Sequence, residues 1–547
     1  MTSARILLSN AGWLVSWAAP LLGLSLLCLT IAPLAGAGPP HWLRGYAKTI
    51  SGETISYHSA YPGPGSALLV RATDGRMAIE WETAAVPRDF GPPEVTFIWM
   101  SGLATGKGAH RFDLEINGAR ALTFTTSTDS SRRAWTEKGA GGVSLSFETA
   151  LVDDFNELFG FMLLTVPASL LRPGEALRLK VTGEEGGSPD WFMVFEDALA
   201  SGMSVKGEQV LVRKNGHLRQ LLRVEVSHLA PPAEAVITAG NDDQSSVRLA
   251  TGYNVVTLSL PAADRRRDVE VGMTVDGGAA KRVTVPVGPV VAREIWLLPH
   301  SHLDIGYSDR QPDVEKKHWR YYEEAIRLAE RSSANPAGAR FKWNVEQLWA
   351  VETYLRQADD GQRRRFLDAV KNGTIGLQAT LAGELTGLCH PEEIFHLTDF
   401  ARKIALLAGT PVDSAMATDI PSQSWSLVPA LAMAGVKYLS SGPNYMPNLP
   451  DGGDRVGWAL KTWGDRPFYW VSPSGDERLL FWMAGRGYSW FHGLHLGPIG
   501  CAPCQRIFDY VAELAARNYP YSMIQVRYTI GGDNGPPDPN LPVVIRA

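Results

Sequence analysis

Short segments of alternating apolar and polar positions, broken by Gly and Pro, dominate the chain from residue 41 to about residue 290. Alternation with a period of two is typical of half-buried strands. The clearest hairpin is predicted at 111–124, because Asn117 and Gly118 supply the positive φ angles of a type I′ turn. Regularly spaced strands without a long helical pattern predict a jelly-roll-like β-sandwich over residues 41–200 and an immunoglobulin-like β domain over residues 201–290.

The pattern changes after residue 290. The short, fully apolar segment 295–298 is typical of a buried parallel strand. Helical patterns at 313–330, 360–372 and 391–408 then alternate with strand patterns at 374–377 and 414–417. This alternation predicts a mostly parallel, barrel-like β/α domain over residues 291–547. The fold class is therefore multidomain, with all-β sandwiches followed by an α/β domain.

Three side chains that can bind a metal follow the apolar segment at alternate positions: His300, His302 and Asp304. In an extended chain these positions share one face, so the three side chains can converge where the strand ends. Nitrogen and carboxylate oxygen suit a divalent ion such as zinc, and open α/β sheets place their ligands at this edge. A polar loop with hydrogen-bonded histidines is the alternative, because the pattern is short.

The segment 299–307, Pro-His-Ser-His-Leu-Asp-Ile-Gly-Tyr, resembles the opening signature of the glycoside hydrolase family 38 α-mannosidases. That resemblance implies that His302 and Asp304 bind a catalytic zinc. Segments 341–346, 371–376 and 468–475 resemble further parts of the same family. A later zinc-binding histidine and further domains of the family have no counterpart before Ala547, so the resemblance predicts a truncated catalytic domain.

A second short apolar strand delivers Asp419 where it ends, so we expect Asp419 at the same sheet edge as His302 and Asp304. The segment resembles the family's nucleophile segment, which implies that Asp419 attacks the sugar and contacts the zinc. The chain departs from the family here, because segment 420–423, Ile-Pro-Ser-Gln, replaces the usual Phe-Gly-His. Capping of a following helix is the alternative role of Asp419.

A candidate acid/base lies near the end of the chain. Segment 528–534, Tyr-Thr-Ile-Gly-Gly-Asp-Asn, resembles the family's Gly-Asp-Asp segment, where an acid/base carboxylate lies. The second acid of that segment is Asn534 here, and an amide cannot deliver a proton to a leaving oxygen. The resemblance therefore assigns the acid/base role to Asp533.

Composition narrows the classes of partner. A formal net charge of −5 gives no basic surface of the kind that nucleic-acid binding requires, so nucleic acid is not expected as a partner. The 17 Trp and 16 Tyr residues suit surfaces that stack against sugars, and they suit large β-sandwich cores equally well. Trp343, Trp425 and Trp482 are the candidates for stacking against a glycan substrate.

Together these features predict a zinc-dependent retaining glycoside hydrolase that cleaves α-mannosides or related glycans, with Zn2+ as its cofactor. His302, Asp304 and Asp419 are the predicted metal ligands, and Asp419 and Asp533 are the predicted catalytic residues. Two alternatives stay open. A metal-dependent polysaccharide deacetylase would need a further H-x-x-x-H pair, which we do not find, and a non-catalytic carbohydrate-binding protein is favoured by Asn534 and by the truncation.

The amino terminus carries Arg5 and then no formal charge until Arg44. The apolar run between them is followed by Ala35-Gly-Ala37, a small-residue cleavage site, which predicts an export signal over residues 1–37 and a secreted or periplasmic protein. A membrane anchor is the alternative, because the uncharged run is long enough to span a bilayer.

We predict that the exported protein is cleaved near Ala37, because the apolar run ends in this small-residue pattern. Amino-terminal sequencing of the exported protein checks this. An exported chain that begins at Met1 would reject the export signal and leave the anchor.

Overall fold

The computed structural model describes residues 4–7, 42–56, 65–105, 108–126, 129, 131, 133–153, 156–197, 199–420, 422–444, 459–492, 496 and 502–546. The chain divides into two compact units. One unit joins Met1–Ala11 to Val291–Ala547, and the other is Gly12–Val290.

The strands within the described residues are, in chain order, β1 (Ala4–Leu7), β2 (Trp42–Arg44), β3 (Lys48–Ser51), β4 (Glu53–Ser56), β5 (Ser66–Arg71), β6 (Ala78–Glu82), β7 (Glu94–Leu103), β8 (Arg111–Ile116), β9 (Ala119–Thr125), β10 (Ala134–Lys138), β11 (Ser144–Val152), β12 (Leu158–Pro167), β13 (Arg178–Gly183), β14 (Trp191–Phe195), β15 (Gly202–Lys214), β16 (His217–His228), β17 (Ala233–Ala239), β18 (Asp243–Leu249), β19 (Gly252–Pro261), β20 (Arg267–Val275), β21 (Lys281–Val287), β22 (Glu294–Pro299), β23 (Trp343–Val345), β24 (Ile375–Leu377), β25 (Ser414–Thr418), β26 (Tyr438–Gly442), β27 (Phe468–Val471), β28 (Arg478–Met483) and β29 (Met523–Tyr528). The α-helices in the same residues are α1 (Gln311–Arg331), α2 (Trp349–Gln357), α3 (Asp360–Lys371), α4 (Pro391–His396), α5 (Asp399–Ala408), α6 (Leu427–Met433), α7 (Ala459–Trp463), α8 (Ala502–Ala516) and α9 (Leu541–Arg546). Short 3₁₀ helices lie at Ala140–Gly142, Ala168–Leu170 and Ala337–Ala339.

The unit Gly12–Val290 contains two β-sandwiches. In the first, an eight-stranded sheet (β10-β11-β12-β7-β14-β5-β4, with β2 beside β7) faces the five-stranded sheet β3-β6-β13-β8-β9 across a shared aromatic and aliphatic core. In the second, the sheet β15-β16-β19 and the sheet β18-β17-β20-β21 share a smaller aliphatic core. The prediction of a multidomain, largely β chain is therefore confirmed, while the predicted domain bounds stay predictions.

The predicted hairpin at 111–124 is confirmed as the antiparallel pair β8 and β9. Asn117 and Gly118 join the two strands with φ angles of 51° and 82°. Both angles lie in the left-handed region, as a type I′ turn requires. Asn tolerates this region and Gly adopts it without strain, which explains why these two residues stand at the turn.

The other unit contains three small sheets, β1-β22-β29, β23-β24 and β25-β26-β28-β27. The predicted parallel strand is confirmed as β22, which pairs in parallel with β29. Parallel pairs also join β23 to β24, β25 to β26 and β26 to β28. A single bridge, His300 to Asn344, connects β22 with β23.

The barrel-like part of the fold prediction is not shown. Within the described residues the strands form separate sheets and no closed barrel. The physical reason is that β23 and β24 have only three residues each, and β23 meets β22 through the single bridge of His300 and Asn344 instead of a continuous ladder.

Two predicted helices differ in detail from the structure. Helix α1 begins at Gln311 with Arg310 as its cap residue, so Asp313 lies in the first turn, where a carboxylate favours the positive end of the helix dipole. The helical pattern at 391–408 is divided into α4 and α5.

No helix in the described part of the chain is both long and apolar enough to cross a membrane. Residues 8–41, which carry most of the predicted export signal, lie outside that part.

Candidate functional site

The candidate site lies where three strands end. Strand β22 is followed by His300, His302 and Asp304, strand β29 by Asp533, and strand β25 by Asp419. The register pairs the last residues of β22 and β29 directly, so the segments that follow these strands start side by side. The segments after β22 and β29 therefore share one sheet edge. Asp419, which was expected at the same edge, follows β25 in a different sheet.

A buried carboxylate, Glu346, fixes both histidines. His300 Nδ1 lies 3.1 Å from Glu346 Oε2, and His302 Nδ1 lies 2.9 Å from Glu346 Oε1. The amide of Leu303 also donates to Oε1, at 3.4 Å. The side chains of His300, His302 and Glu346 are 0–4% exposed, so these contacts replace the water that the polar groups lose on folding.

The charges of this group follow from its contacts. Burial opposes the charge on Glu346, but the positive charge of His302 and hydrogen bonds from both histidines outweigh it and hold the Glu346 pKa well below its usual value. Burial also opposes protonation of His302, yet the negative charge of Glu346 and hydrogen bonds to Asp304 and Glu346 raise its pKa to about 10. At neutral pH His302 is therefore an imidazolium, which donates through Nε2 to Asp304 Oδ1 at 3.1 Å.

The Tyr488 hydroxyl contacts one carboxylate, Asp419, and lies within electrostatic range of two more, Asp304 and Asp533. This hydroxyl donates to Asp419 Oδ2 at 3.2 Å, and the ring packs 4.7 Å from the ring of His302. Burial and then the negative charges of Asp533, Asp419 and Asp304 raise the Tyr488 pKa far above its usual value. The phenol therefore stays protonated and donates its hydrogen bond to Asp419. We call the three acids the Tyr488 acid cluster (Asp304, Asp419 and Asp533).

Asp533 is the most exposed acid of this cluster, since its side chain is 38% exposed against 14% for Asp304, and Asp419 is half-buried. His492 Nδ1 lies 3.7 Å from Asp533 Oδ1. Burial raises the Asp533 pKa, but the interactions with His492 and the charge of His302 outweigh it and lower that pKa. Burial lowers the His492 pKa to about 4, so His492 is neutral at neutral pH.

Asp419 has a left-handed backbone. Its φ angle is 52°, in a region that Asp and Asn adopt more readily than other residues with side chains. The Asp419 amide donates to the carbonyl oxygen of Gly442 at 3.0 Å, which ties the end of β25 to the end of β26. The left-handed turn and this bond together fix the position from which the carboxylate starts.

Asn534 connects the segment after β29 with the segment after β22. Its Nδ2 donates to the Asp304 carbonyl oxygen at 3.2 Å and to Ser308 Oγ at 2.8 Å. Its Oδ1 accepts from the Asp304 amide at 3.3 Å and from His318 Nε2 at 2.9 Å. Its own amide donates to the His302 carbonyl oxygen at 2.8 Å. An amide side chain both donates and accepts here, which a carboxylate cannot do, so Asn534 orders the segment that carries His302 and Asp304.

The predicted stacking residues lie in different environments. Trp343 is 2% exposed and packs against Phe341, so its indole contributes to the core. Trp482 is partly buried, with its ring 6.3 Å from that of Tyr521. Trp425 is 57% exposed and stands on the segment that follows Asp419. Stacking against a substrate stays a prediction, and exposure favours Trp425.

Sequence reasoning missed the roles of Tyr488, Glu346 and His492. Glu346 was visible only as part of a segment that resembled a family, although an acid between an apolar strand and an apolar helix already indicates a buried carboxylate. Tyr488 and His492 lie in turns after β28, where no periodic pattern marks them. Tertiary contacts alone bring them to the acids.

The residues around His302 partly suit a metal. His302 Nε2 faces Asp304, and its Nδ1 is held by Glu346, as metal-binding histidines are commonly held by a carboxylate. In the part of the chain that the structure describes, however, no group of three His, Cys, Asp or Glu side chains is placed to hold a metal ion. The donor set as it stands does not fit a zinc site, and zinc binding by His302, Asp304 and Asp419 stays a prediction.

Comparisons with known proteins give little support from sequence. No protein-family model matches the chain, and no curated protein matches it. Similar solved structures include the β-D-glucuronidase of Dictyoglomus thermophilum, with a TM-score of 0.17 and 9% identity over 73% of this chain and 72% of that chain. A family 2 β-galacturonidase of Eisenbergiella tayi has a TM-score of 0.15 and 9% identity over 73% of each chain. The β-glucuronidase of Bacteroides uniformis has a TM-score of 0.19 and 8% identity over 84% of this chain and 58% of that chain.

These structures are glycoside hydrolases of family 2 type and not family 38 α-mannosidases. The identification with family 38 is therefore wrong, and so is the assignment as a zinc-dependent retaining α-mannosidase. The deacetylase and the non-catalytic binding protein have no support either. The structure supplies a physical reason, because the His-x-His-x-Asp pattern serves a buried network centred on Glu346. At TM-scores this low the similarities carry no argument for a family 2 activity.

We predict that Asn534→Asp destabilises the protein by about 2 kcal/mol, because the variant loses both Nδ2 hydrogen bonds and adds a buried negative charge. Chemical denaturation measures the change. Asn518→Asp is a matched control, since Asn518 is exposed and has a similar φ angle of 55°. Equal stability of the two variants would contradict the ordering role of Asn534.

The zinc content of the purified protein distinguishes the two uses of the histidine motif, metal binding and a hydrogen-bonded network. If His302 and Asp304 bind zinc, elemental analysis of the purified protein finds about one zinc per chain, and Asp304→Asn or His302→Ala reduces it strongly. Equal zinc content in the wild type and both variants would mean that the motif serves only the hydrogen-bonded network.

Proposed function

We propose that the chain is a glycoside hydrolase and that the Tyr488 acid cluster is its active site. The observation that supports this is that a protonated phenol, Tyr488, hydrogen-bonds to Asp419 and lies within electrostatic range of Asp304 and Asp533, with each acid following the end of a strand. Cleavage of a glycosidic bond commonly uses two carboxyl groups on either side of the bond. Like charges are costly to hold together, so a fold that gathers three of them favours a catalytic use.

We assign to Asp419 the role of the carboxylate that acts at the anomeric carbon. Tyr488 donates a hydrogen bond to Asp419 Oδ2 at 3.2 Å. This bond fixes the direction of the carboxylate, while the left-handed backbone fixes where it starts. An ionised and oriented carboxylate can attack the anomeric carbon or activate a water molecule there.

Asp533 is the acid that we assign to proton transfer at the glycosidic oxygen. In the free protein its pKa is lowered, so it is ionised and cannot donate a proton at neutral pH. A bound glycan would cover its exposed side and remove water from it, and such desolvation raises a carboxyl pKa. Substrate binding would thus convert Asp533 into the proton donor that the reaction needs.

His302 balances the charge of the cluster. As an imidazolium it lies between Glu346 and Asp304 and adds a positive charge next to three acids. This charge offsets part of the repulsion that would otherwise protonate the cluster or separate its members. Asp304, held by His302 and by Asn534 through its backbone, is therefore positioned to accept hydrogen bonds from sugar hydroxyls.

We predict that Asp419→Asn lowers kcat about a thousandfold, which corresponds to about 4 kcal/mol of barrier, because the amide has no charge with which to attack or activate. Release of the aryl group from a panel of α- and β-linked aryl glycosides, including glycuronides, measures the rate. Asp476→Asn is the control, because Asp476 is exposed on the β27–β28 turn. A wild type that cleaves no member of the panel, or an Asp419→Asn variant as active as wild type, would refute the proposal.

A further inference from the structure

Arg527 is a buried arginine next to the candidate site. It lies on β29 and is 1% exposed. Its Nη1 donates to Thr418 Oγ1 at 2.7 Å, and its Nη2 donates to Ser440 Oγ at 2.8 Å. These bonds connect β29 to β25 and β26, which belong to a different sheet. Arg527 therefore joins two sheets that the strand ladders leave separate.

Packing alone does not account for this residue. Burial lowers the Arg527 pKa to about 10, against the opposing effect of the Glu346 charge, so the guanidinium is still charged at neutral pH. The side-chain partners found for it among the described residues are hydroxyls and not carboxylates. Burying a charge without a paired charge costs free energy that an apolar side chain of similar size would avoid.

The guanidinium packs against the two residues that fix the Asp419 backbone. Thr418 precedes Asp419, and Gly442 accepts the hydrogen bond of the Asp419 amide. A Cβ atom on Gly442 would lie 2.8 Å from Arg527 Nη1 and 3.0 Å from the Cβ of Tyr488. Because Gly442 has no side chain, Arg527 and Tyr488 can both pack against its backbone, next to the turn at Asp419.

We propose that Arg527 is a positioning residue for Asp419. It holds Thr418 and Gly442 in the arrangement that keeps the Asp419 backbone left-handed and directs the carboxylate toward Tyr488. Arg527 itself is too deeply buried to contact a substrate. The kinetic consequence rests on the proposed function, whereas the effect on the Asp419 backbone does not depend on it.

A second buried arginine provides a matched control. Arg293 is 8% exposed and donates to the carbonyl oxygens of Tyr519 and Tyr521, beside the amino ends of β22 and β29. Arg527→Met and Arg293→Met therefore each remove one buried guanidinium, the first within β29 and the second just before β22. They differ in distance from the acids along those strands. Unfolding by denaturant measures how much stability each variant loses.

Kinetics then separate positioning from general stability. We expect Arg527→Met to lower kcat about a hundredfold with KM within about twofold, because misplacing a reacting group affects the chemical step and not ground-state binding. Arg527→Lys, which keeps the charge, should restore part of kcat. Arg293→Met should keep the wild-type kcat. Equal losses of kcat in the two methionine variants would overturn the proposal.

Hydrogen exchange tests the backbone effect without any substrate. The Asp419 amide should exchange about tenfold faster in Arg527→Met than in wild type or Arg293→Met, because its bond to Gly442 is loosened locally. If the wild type cleaves no glycoside but exchange responds in this way, the proposed function fails and the positioning role stands. If the wild type is active and neither exchange nor kcat responds to Arg527→Met, the positioning role fails.

Thr418 keeps the test decisive if Arg527→Met does not fold. Thr418→Val removes one acceptor of the guanidinium with little change of shape, whereas Thr418→Ser keeps the hydroxyl. We expect Thr418→Val to exchange faster at Asp419 and to lose about tenfold in kcat, which is about 1.4 kcal/mol, while Thr418→Ser stays close to wild type. A Thr418→Val variant with wild-type exchange and wild-type kcat would overturn the proposal.

Discussion

The buried carboxylate of Glu346 is the constraint on which the site depends. It accepts hydrogen bonds from His300 and His302, so the segment after β22 must lie against the end of β23. The charge of Glu346 also favours the protonated states of His302 and Arg527. One buried anion thus stabilises two buried cations. Without these cations, the acid cluster would experience only the repulsion among its own members. The Glu346 carboxylate therefore determines both where the segment after β22 lies and which buried groups are charged.

The sequence predicted the location of the site better than its chemistry. Short apolar strands are visible as such, and the carboxyl ends of parallel strands meet at one edge, so His302, Asp304 and Asp419 could be assigned to the same place. The structure places Asp304, Asp419 and Asp533 around Tyr488, although the catalytic and metal-binding roles of these residues stay predictions. The β-sandwiches could likewise be predicted, because alternation and a turn such as Asn117-Gly118 are local signals.

Other features were out of reach of the sequence, since they depend on contacts between distant segments. Nothing in the residues near Tyr488 or Arg527 indicates that one lies within electrostatic range of three acids and that the other lies beneath them. The left-handed backbone of Asp419 hydrogen-bonds to Gly442, which belongs to the next strand. The identification with family 38 was wrong because a short pattern of alternating His and Asp side chains can serve a buried network as readily as a metal.

The parallel pairing of β22 with β29 also determines when the site can exist. It brings Asp304 and Asn534, which are 230 residues apart in sequence, into hydrogen-bond contact. Pairings of such long range form slowly, because closing the loop costs entropy before the contacts form. On the ribosome, His300, His302 and Glu346 emerge long before the strand that covers them. A nascent chain therefore carries these polar groups without Asn534, which orders the segment of His302 and Asp304, and this favours a late and cooperative assembly of the whole unit over a stable half-folded state.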